Sequence, residues 1–281
     1  MSISSSSVWV LGGGGVSGIA WEVGILTGLA DEGVVVGSDA VLIGTSAGAV
    51  VAAQVTSGVP ILELFERQRA GVPHETAAGL SVSAVLRIAG ATSVARSPEH
   101  AARRIGRIAL AARVDDPGLL RRIAEARLPT REWPQADLRM TVVDAESGEL
   151  RVITSAEGVP LVDAVSASCA VPLTSLPVTI GGRHYMDGGM RSTVNLDLAP
   201  GDGPVIALAP STAAVTRWAS LSRERAALAP DRRVEILLRD AASRAAQGRA
   251  VMDRAIVPAL VAAAREQGRR EAERVSSALA D

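Results

Sequence analysis

The patterned part of the chain begins at Val8–Leu11, a continuous apolar run that ends in Gly12–Gly15 and reads as a buried strand entering a tight loop. Ile19–Ala30 then follows helical spacing, and Gly33 supplies a stop. Ala40–Ile43 is a second buried strand, followed after Gly44-Thr45-Ser46 by the small-residue helix Ala47–Val55. Two strand–loop–helix units in succession predict an α/β fold layered about a parallel sheet. From Pro60 to Pro134 the pattern turns helical and arginine-rich, which predicts a helical insertion, read either as a cover over a site or as ordinary packing helices. Strand patterns return at Leu138–Asp144 and Leu150–Thr154, with Glu146–Glu149 as the turn between them. Pro177–Met186 has the form of a hairpin bending at Gly181-Gly182, and Val205–Leu208 that of another buried strand. From about Thr212 the remainder reads as helical, with Val234, Leu237, Leu238 and Ala241 forming one apolar stripe. No repeat, linker or compositional break divides the 281 residues, so a single α/β domain is expected.

Composition narrows the chemistry. A hydrophobic share of 48% against 21% charged is enough for a large core, and with aromatics at 2% that core has to be aliphatic. The net charge of -1 argues against a nucleic-acid partner, which needs a basic surface. Every strongly basic side chain is arginine. With no lysine present, Schiff-base chemistry and a P-loop lysine are both ruled out. Cys169 is the sole cysteine and reads as a small buried apolar residue. The start, MSISSSS, has neither a basic nor an apolar leader region, which argues against a secretory signal. Ala255–Ala264 is too short to span a bilayer and contains Pro258. The expectation is a soluble, cytoplasmic protein, with peripheral membrane contact left open.

Gly44-Thr45-Ser46-Ala47-Gly48 is a G-x-S-x-G pentapeptide lying between a predicted strand and a predicted helix. A sharp turn there exposes the serine hydroxyl, and it needs glycines on either side because a Cβ would clash. The helix dipole behind Ser46 favours the charge that develops in acyl transfer. Such a nucleophile needs a base, but His74, His100 and His184 all precede Asp187, so the order serine, acid, histidine is impossible with that acid. Asp187, at the end of a strand-like segment and before Gly188-Gly189, is the acid suited to take the proton from Ser46 directly. In isolation the same Asp-Gly reads as a turn. Gly12–Gly15 with Gly18 offer unobstructed backbone N–H groups that can hold an oxyanion. Gly13–Gly18 also fits the dinucleotide pattern G-x-G-x-x-G. That reading needs an acid at the end of the next strand, and the next strand runs into Ser46 instead.

Taken together, the glycine loop, the G-x-S-x-G turn, the segment Ala167-Ser168-Cys169-Ala170-Val171-Pro172 and the late Asp187-Gly188-Gly189 resemble the patatin-like phospholipases, in that family's order. The resemblance implies a three-layer α/β/α fold with a mostly parallel central sheet. It also implies a dyad of Ser46 as nucleophile and Asp187 as base, with the amides of Gly13, Gly14 and Gly15 as the oxyanion hole. The implied reaction is hydrolysis of acyl esters of phospholipids, lysophospholipids or neutral lipids, without a metal or other cofactor. An acyltransferase or a thioesterase would use the same dyad, and a non-catalytic binding protein would keep the fold. Ser17 stands where many members carry arginine or lysine, a departure that bears on phospholipid preference more than on hydrolysis. His184 is expected to be structural, and Trp21, Glu22 and Trp218 are given no role.

Overall fold

The computed structural model describes residues 6–71, 82–213, 215–248 and 252–280. His74 and part of the expected helical insertion lie outside them. In chain order the elements are β1 Val8–Leu11, α1 Gly15–Asp31, β2 Val41–Gly44, α2 Ala47–Val55, α3 Ile61–Ala70 and α4 Val82–Ser93. Next come α5 Pro98–Leu110, α6 Leu119–Arg127, β3 Asp137–Asp144, β4 Leu150–Ile153, α7 Leu161–Ser168, β5 Val178–Ile180 and β6 Arg183–Asp187. The chain continues through β7 Val205–Ala209, α8 Leu221–Ala227, β8 Val234–Leu238, α9 Ala241–Gln247 and α10 Val257–Leu279.

The described strands form one sheet in the order β5-β6-β3-β2-β1-β7-β8, with β4 also paired to β3. The strands from β3 to β8 along that path run parallel, while β4, β5 and β6 pair antiparallel. Alternation along β1 divides the core. Trp9 and Leu11 face α1, α2, α7 and α10, whereas Val8 and Val10 face a layer containing Val194, Leu196 and Leu228. A further apolar cluster seats Ile88 and Ile105, from α4 and α5, on Val143 and Met186. The result is the mixed, three-layer α/β/α arrangement expected, with a mostly parallel sheet. On one face α1 and α10 approach so closely that a Cβ at Gly28 would lie 2.0 Å from the Arg265 carbonyl oxygen.

The hairpin at Gly181-Gly182 forms as expected, and both residues have positive φ, 59° and 79°, as a tight two-residue turn requires. The helical reading of the remainder from about 212 is corrected at β8. Val234 and Ile236 pack on one face of the sheet and Leu237 on the other, so apolar residues on both sides mimic a helical stripe. Asp240 then caps α9 by accepting from the Ser243 N–H at 2.7 Å, so the supposed stripe straddles a strand and a helix. This topology brings the carboxyl ends of β2, β1, β7 and β8 side by side, with chain turning off to both sides of β1. That is where open parallel sheets place their sites.

Candidate active site

Ser46 sits where β2 gives way to α2. To make the turn its backbone takes φ 54°, ψ −114°, a conformation that side-chain-bearing residues adopt at a cost of about 1–3 kcal/mol. The flanking glycines are there for close approach, as expected. A Cβ on Gly44 would lie 2.5 Å from the Ala49 Cα, and one on Gly48 would lie 2.0 Å from the Leu11 carbonyl oxygen. Because the latter obstacle is backbone on β1, Gly48→Ala is expected to cost at least about 3 kcal/mol of stability. A fall in the denaturant midpoint at unchanged slope would show it.

Asp187 is the last residue of β6 and lies opposite Val142 on β3, while Gly44 lies opposite Met140 on the same strand. Register therefore carries the acid to the end of β2. Asp187 is 2% exposed, and its carboxylate accepts the Gly189 N–H at 2.7 Å. Burial pushes its pKa up to about 6, while the Ser46 hydroxyl and the Gly189 N–H hold it down.

One turn at the end of α7 fixes both residues. The Ser168 hydroxyl accepts the Ser46 N–H at 2.9 Å, the Cys169 thiol donates to the Ser46 carbonyl at 3.3 Å, and the Ala170 carbonyl accepts the Asp187 N–H at 3.0 Å. Cys169 is thus more than the apolar filler read from sequence. Burial and then the Asp187 charge push its thiol up, so it stays a protonated donor. Beside the nucleophile, the hydroxyls of Thr45 and Thr141 share a hydrogen bond at 2.8 Å, and the Asn195 amide donates to Thr45 at 3.0 Å. Sequence reasoning missed both, because the clamp forms only when the end of α7 meets β2 and β6, and the network only when β2, β3 and the 192–196 turn meet.

The glycine loop passes beside the nucleophile, with the Cβ position of Gly13 only 3.5 Å from the Ser46 Cβ. The amides of Gly13, Gly14 and Gly15, expected to share one role, are engaged differently. The Gly13 N–H is engaged with the Thr193 carbonyl at 2.6 Å, just as Gly12 donates to Leu208 at 2.9 Å. The N–H groups of Gly14 and Gly15 donate to nothing among the described residues, and Gly15 opens α1. His184 pairs with Glu146 at 2.6 Å at the surface, and His100 is on α5, so neither takes the base's place. Trp21 donates to Gln267 within the core, and Trp218 stacks beneath Arg217.

The sequence model of the patatin-like phospholipases matches residues 9–200, a span holding the glycine loop, Ser46, the 167–172 turn and Asp187. The chain belongs to this family. VipD from Legionella pneumophila is similar in structure at a TM-score of 0.42 and 15% identity, over 74% of this chain and 50% of that one. The type III effector protein ExoU is similar at a TM-score of 0.41 and 14% identity, over 96% of this chain and 53% of that one. The chain therefore spans about half the length of each. No curated protein sequence matches it. Among the described residues of this patatin-like chain, no helix is long and apolar enough to cross a membrane.

Proposed function

We propose that this protein hydrolyses carboxylic acyl esters of lipids through a Ser46–Asp187 dyad and an acyl-enzyme intermediate. The observation that carries the reading is the pairing of a strained, turn-borne serine with a buried carboxylate whose pKa its hydroxyl lowers and which has no salt bridge among the described residues. Ser46 Oγ attacks the ester carbonyl while its proton passes to Asp187, and the N–H groups of Gly14 and Gly15 receive the oxyanion. Collapse of the tetrahedral intermediate expels the alcohol, which takes the proton from Asp187 and leaves the acyl group on Ser46. Water then attacks the acyl carbon and gives a proton to Asp187, which passes it to Ser46 Oγ as the acyl bond breaks and the fatty acid leaves. Residues 60–134 are part of the same catalytic unit in this reading, because α4 and α5 pack on the strand that carries Asp187.

A base must be ionised to act. With the Asp187 pKa at about 6, kcat/KM is expected to rise through that pH and to level off above it. A profile flat from pH 4.5 to 8 would contradict that assignment. The reading as a whole is tested by ester turnover over a series of acyl chain lengths, wild type beside Ser46→Ala. Turnover by the wild type and none above background by the variant is expected. Equal turnover by the two would overturn it.

A further inference from the structure

Two buried ionisable groups lie behind the glycine loop, and the reaction above uses neither of them. Arg239 follows β8 and is 8% exposed, and Glu22 on α1 is 0% exposed. Both lie at the back of the loop that supplies the proposed oxyanion donors. Arg239 also lies beyond the residues 9–200 that the family model matches.

We propose that Arg239 is a positioning residue for the oxyanion donors, holding the glycine loop in its working conformation through Ser17 and Pro210. The inference rests on the hydrolase reading above. Arg239 donates through one terminal nitrogen to the Ser17 hydroxyl at 3.1 Å and through the other to the Pro210 carbonyl at 2.7 Å. Ser17 in turn donates to the Gly14 carbonyl at 3.1 Å, which also accepts the Gly18 N–H at 2.9 Å. A hydroxyl that accepts from a cation is polarised and becomes the stronger donor, so the two bonds reinforce each other.

The consequence reaches the site through the peptide plane. In a trans peptide the N–H of Gly15 points opposite to the C=O of Gly14. Fixing that carbonyl on Ser17 and Gly18 therefore fixes the direction of one proposed donor. Glycines have no side chain with which to hold themselves, so an outside anchor is needed. Pro210 supplies the wall of this anchor. Its ring atoms stand 3.1 Å from where a Gly14 Cβ would be, and its carbonyl is tied to the same guanidinium. Four carboxyl ends of parallel strands thus meet in one linked unit: Ser46 after β2, Gly14 after β1, Pro210 after β7 and Arg239 after β8.

Glu22 is the ionisable group nearest this charge; burial raises its pKa well above the usual carboxylate value, while the Arg239 charge and the Gly12 N–H lower it. The Arg239 Nε has no hydrogen-bond partner among the described residues, so the two groups act on each other through space. Burial lowers the Arg239 pKa to about 10, with Glu22 opposing the fall, so the guanidinium remains a cation at neutral pH. Ser17 fits the same account. Its small side chain leaves room for the guanidinium that arrives from β8.

The experiment follows turnover of a short-chain p-nitrophenyl ester and labelling by a fluorophosphonate in the full chain. Arg239→Met is expected to lower kcat and the labelling rate about 10- to 100-fold with KM within about twofold, because only the transition state uses the donors. Adding Ser17→Arg to Arg239→Met returns a cation to the same space and is expected to restore most of the loss. Ser17→Ala, which removes one hydroxyl and little volume, should lower kcat about 5- to 10-fold at unchanged KM, and this holds the test if Arg239→Met fails to fold. Unchanged kcat in a folded Arg239→Met or in Ser17→Ala would overturn the proposal. So would a folded double variant that regains nothing. If the wild type is neither labelled nor active, the hydrolase reading fails instead, and the two failures are told apart by the wild-type arm alone.

Discussion

Asp187→Asn is expected to cost at least about 10⁴-fold in ester turnover while making the protein harder to unfold. The activity loss follows because a carboxamide cannot accept the Ser46 proton. The gain in stability follows from linkage. The Asp187 pKa in the folded protein, about 6, lies above the 3.8 of an ordinary aspartate, so the folded state holds this proton more tightly than the unfolded one. Between those pH values stability falls as pH rises, and above about 6 the full cost of a buried carboxylate is present. A shift of two pKa units is worth about 3 kcal/mol. Asparagine keeps the acceptor for the Gly189 N–H and turns its NH₂ toward Ser46 without carrying charge. Unfolding free energies of the two proteins from denaturant titration should therefore converge near pH 4 and separate by about 1–3 kcal/mol at pH 8, with the inactive variant higher. Titrations of Glu22 and Glu224, both raised by burial, occur in both proteins and cancel in the difference. A variant less stable than wild type at pH 8 would show that Asp187 is a structural acid.

Ser46→Gly and Ser46→Ala are expected to abolish turnover alike and to differ in stability. Both remove the nucleophile. At φ 54° alanine retains the Cβ that makes this backbone costly, whereas glycine adopts it freely. The glycine variant should be the more stable of the two by about 1–2 kcal/mol at any pH, measured by chemical denaturation. Both also lose the hydroxyl that lowers the Asp187 pKa, so that loss does not separate them. Equal stabilities would mean that the turn at Ser46 is relaxed and that its exposure of the hydroxyl is not imposed by strain.

Much of this was legible in the chain because the signals are local. Val8–Leu11 and Val41–Gly44 are apolar runs that lead into glycine, and Gly44 and Gly48 bracket a turn with no room for a Cβ at either of those two positions. The hairpin at Gly181-Gly182 is written in two residues with positive φ. β8 was not legible, because a strand with apolar side chains on both faces has the same apolar spacing as one turn of an amphipathic helix. The joint hold of Ser168, Cys169 and Ala170 on Ser46 and Asp187 was hidden for another reason. These bonds run between residues far apart in sequence and use a thiol and a hydroxyl that look like packing residues when read alone. Gly13 shows the limit of counting glycines. Its amide is taken by Thr193, a residue that nothing in the loop itself points to. Arg239 lies outside any motif, and only the parallel order of β1, β7 and β8 brings it behind the loop.

The central claim is that Ser46 is a nucleophile activated by Asp187, and the site and rate of covalent labelling by a fluorophosphonate test it most directly. The expected result is a single adduct, mapped by mass spectrometry to the peptide containing Ser46, that forms at least about 10³-fold more slowly in Asp187→Asn. An adduct on another residue, or equal labelling rates in the two proteins, would contradict it.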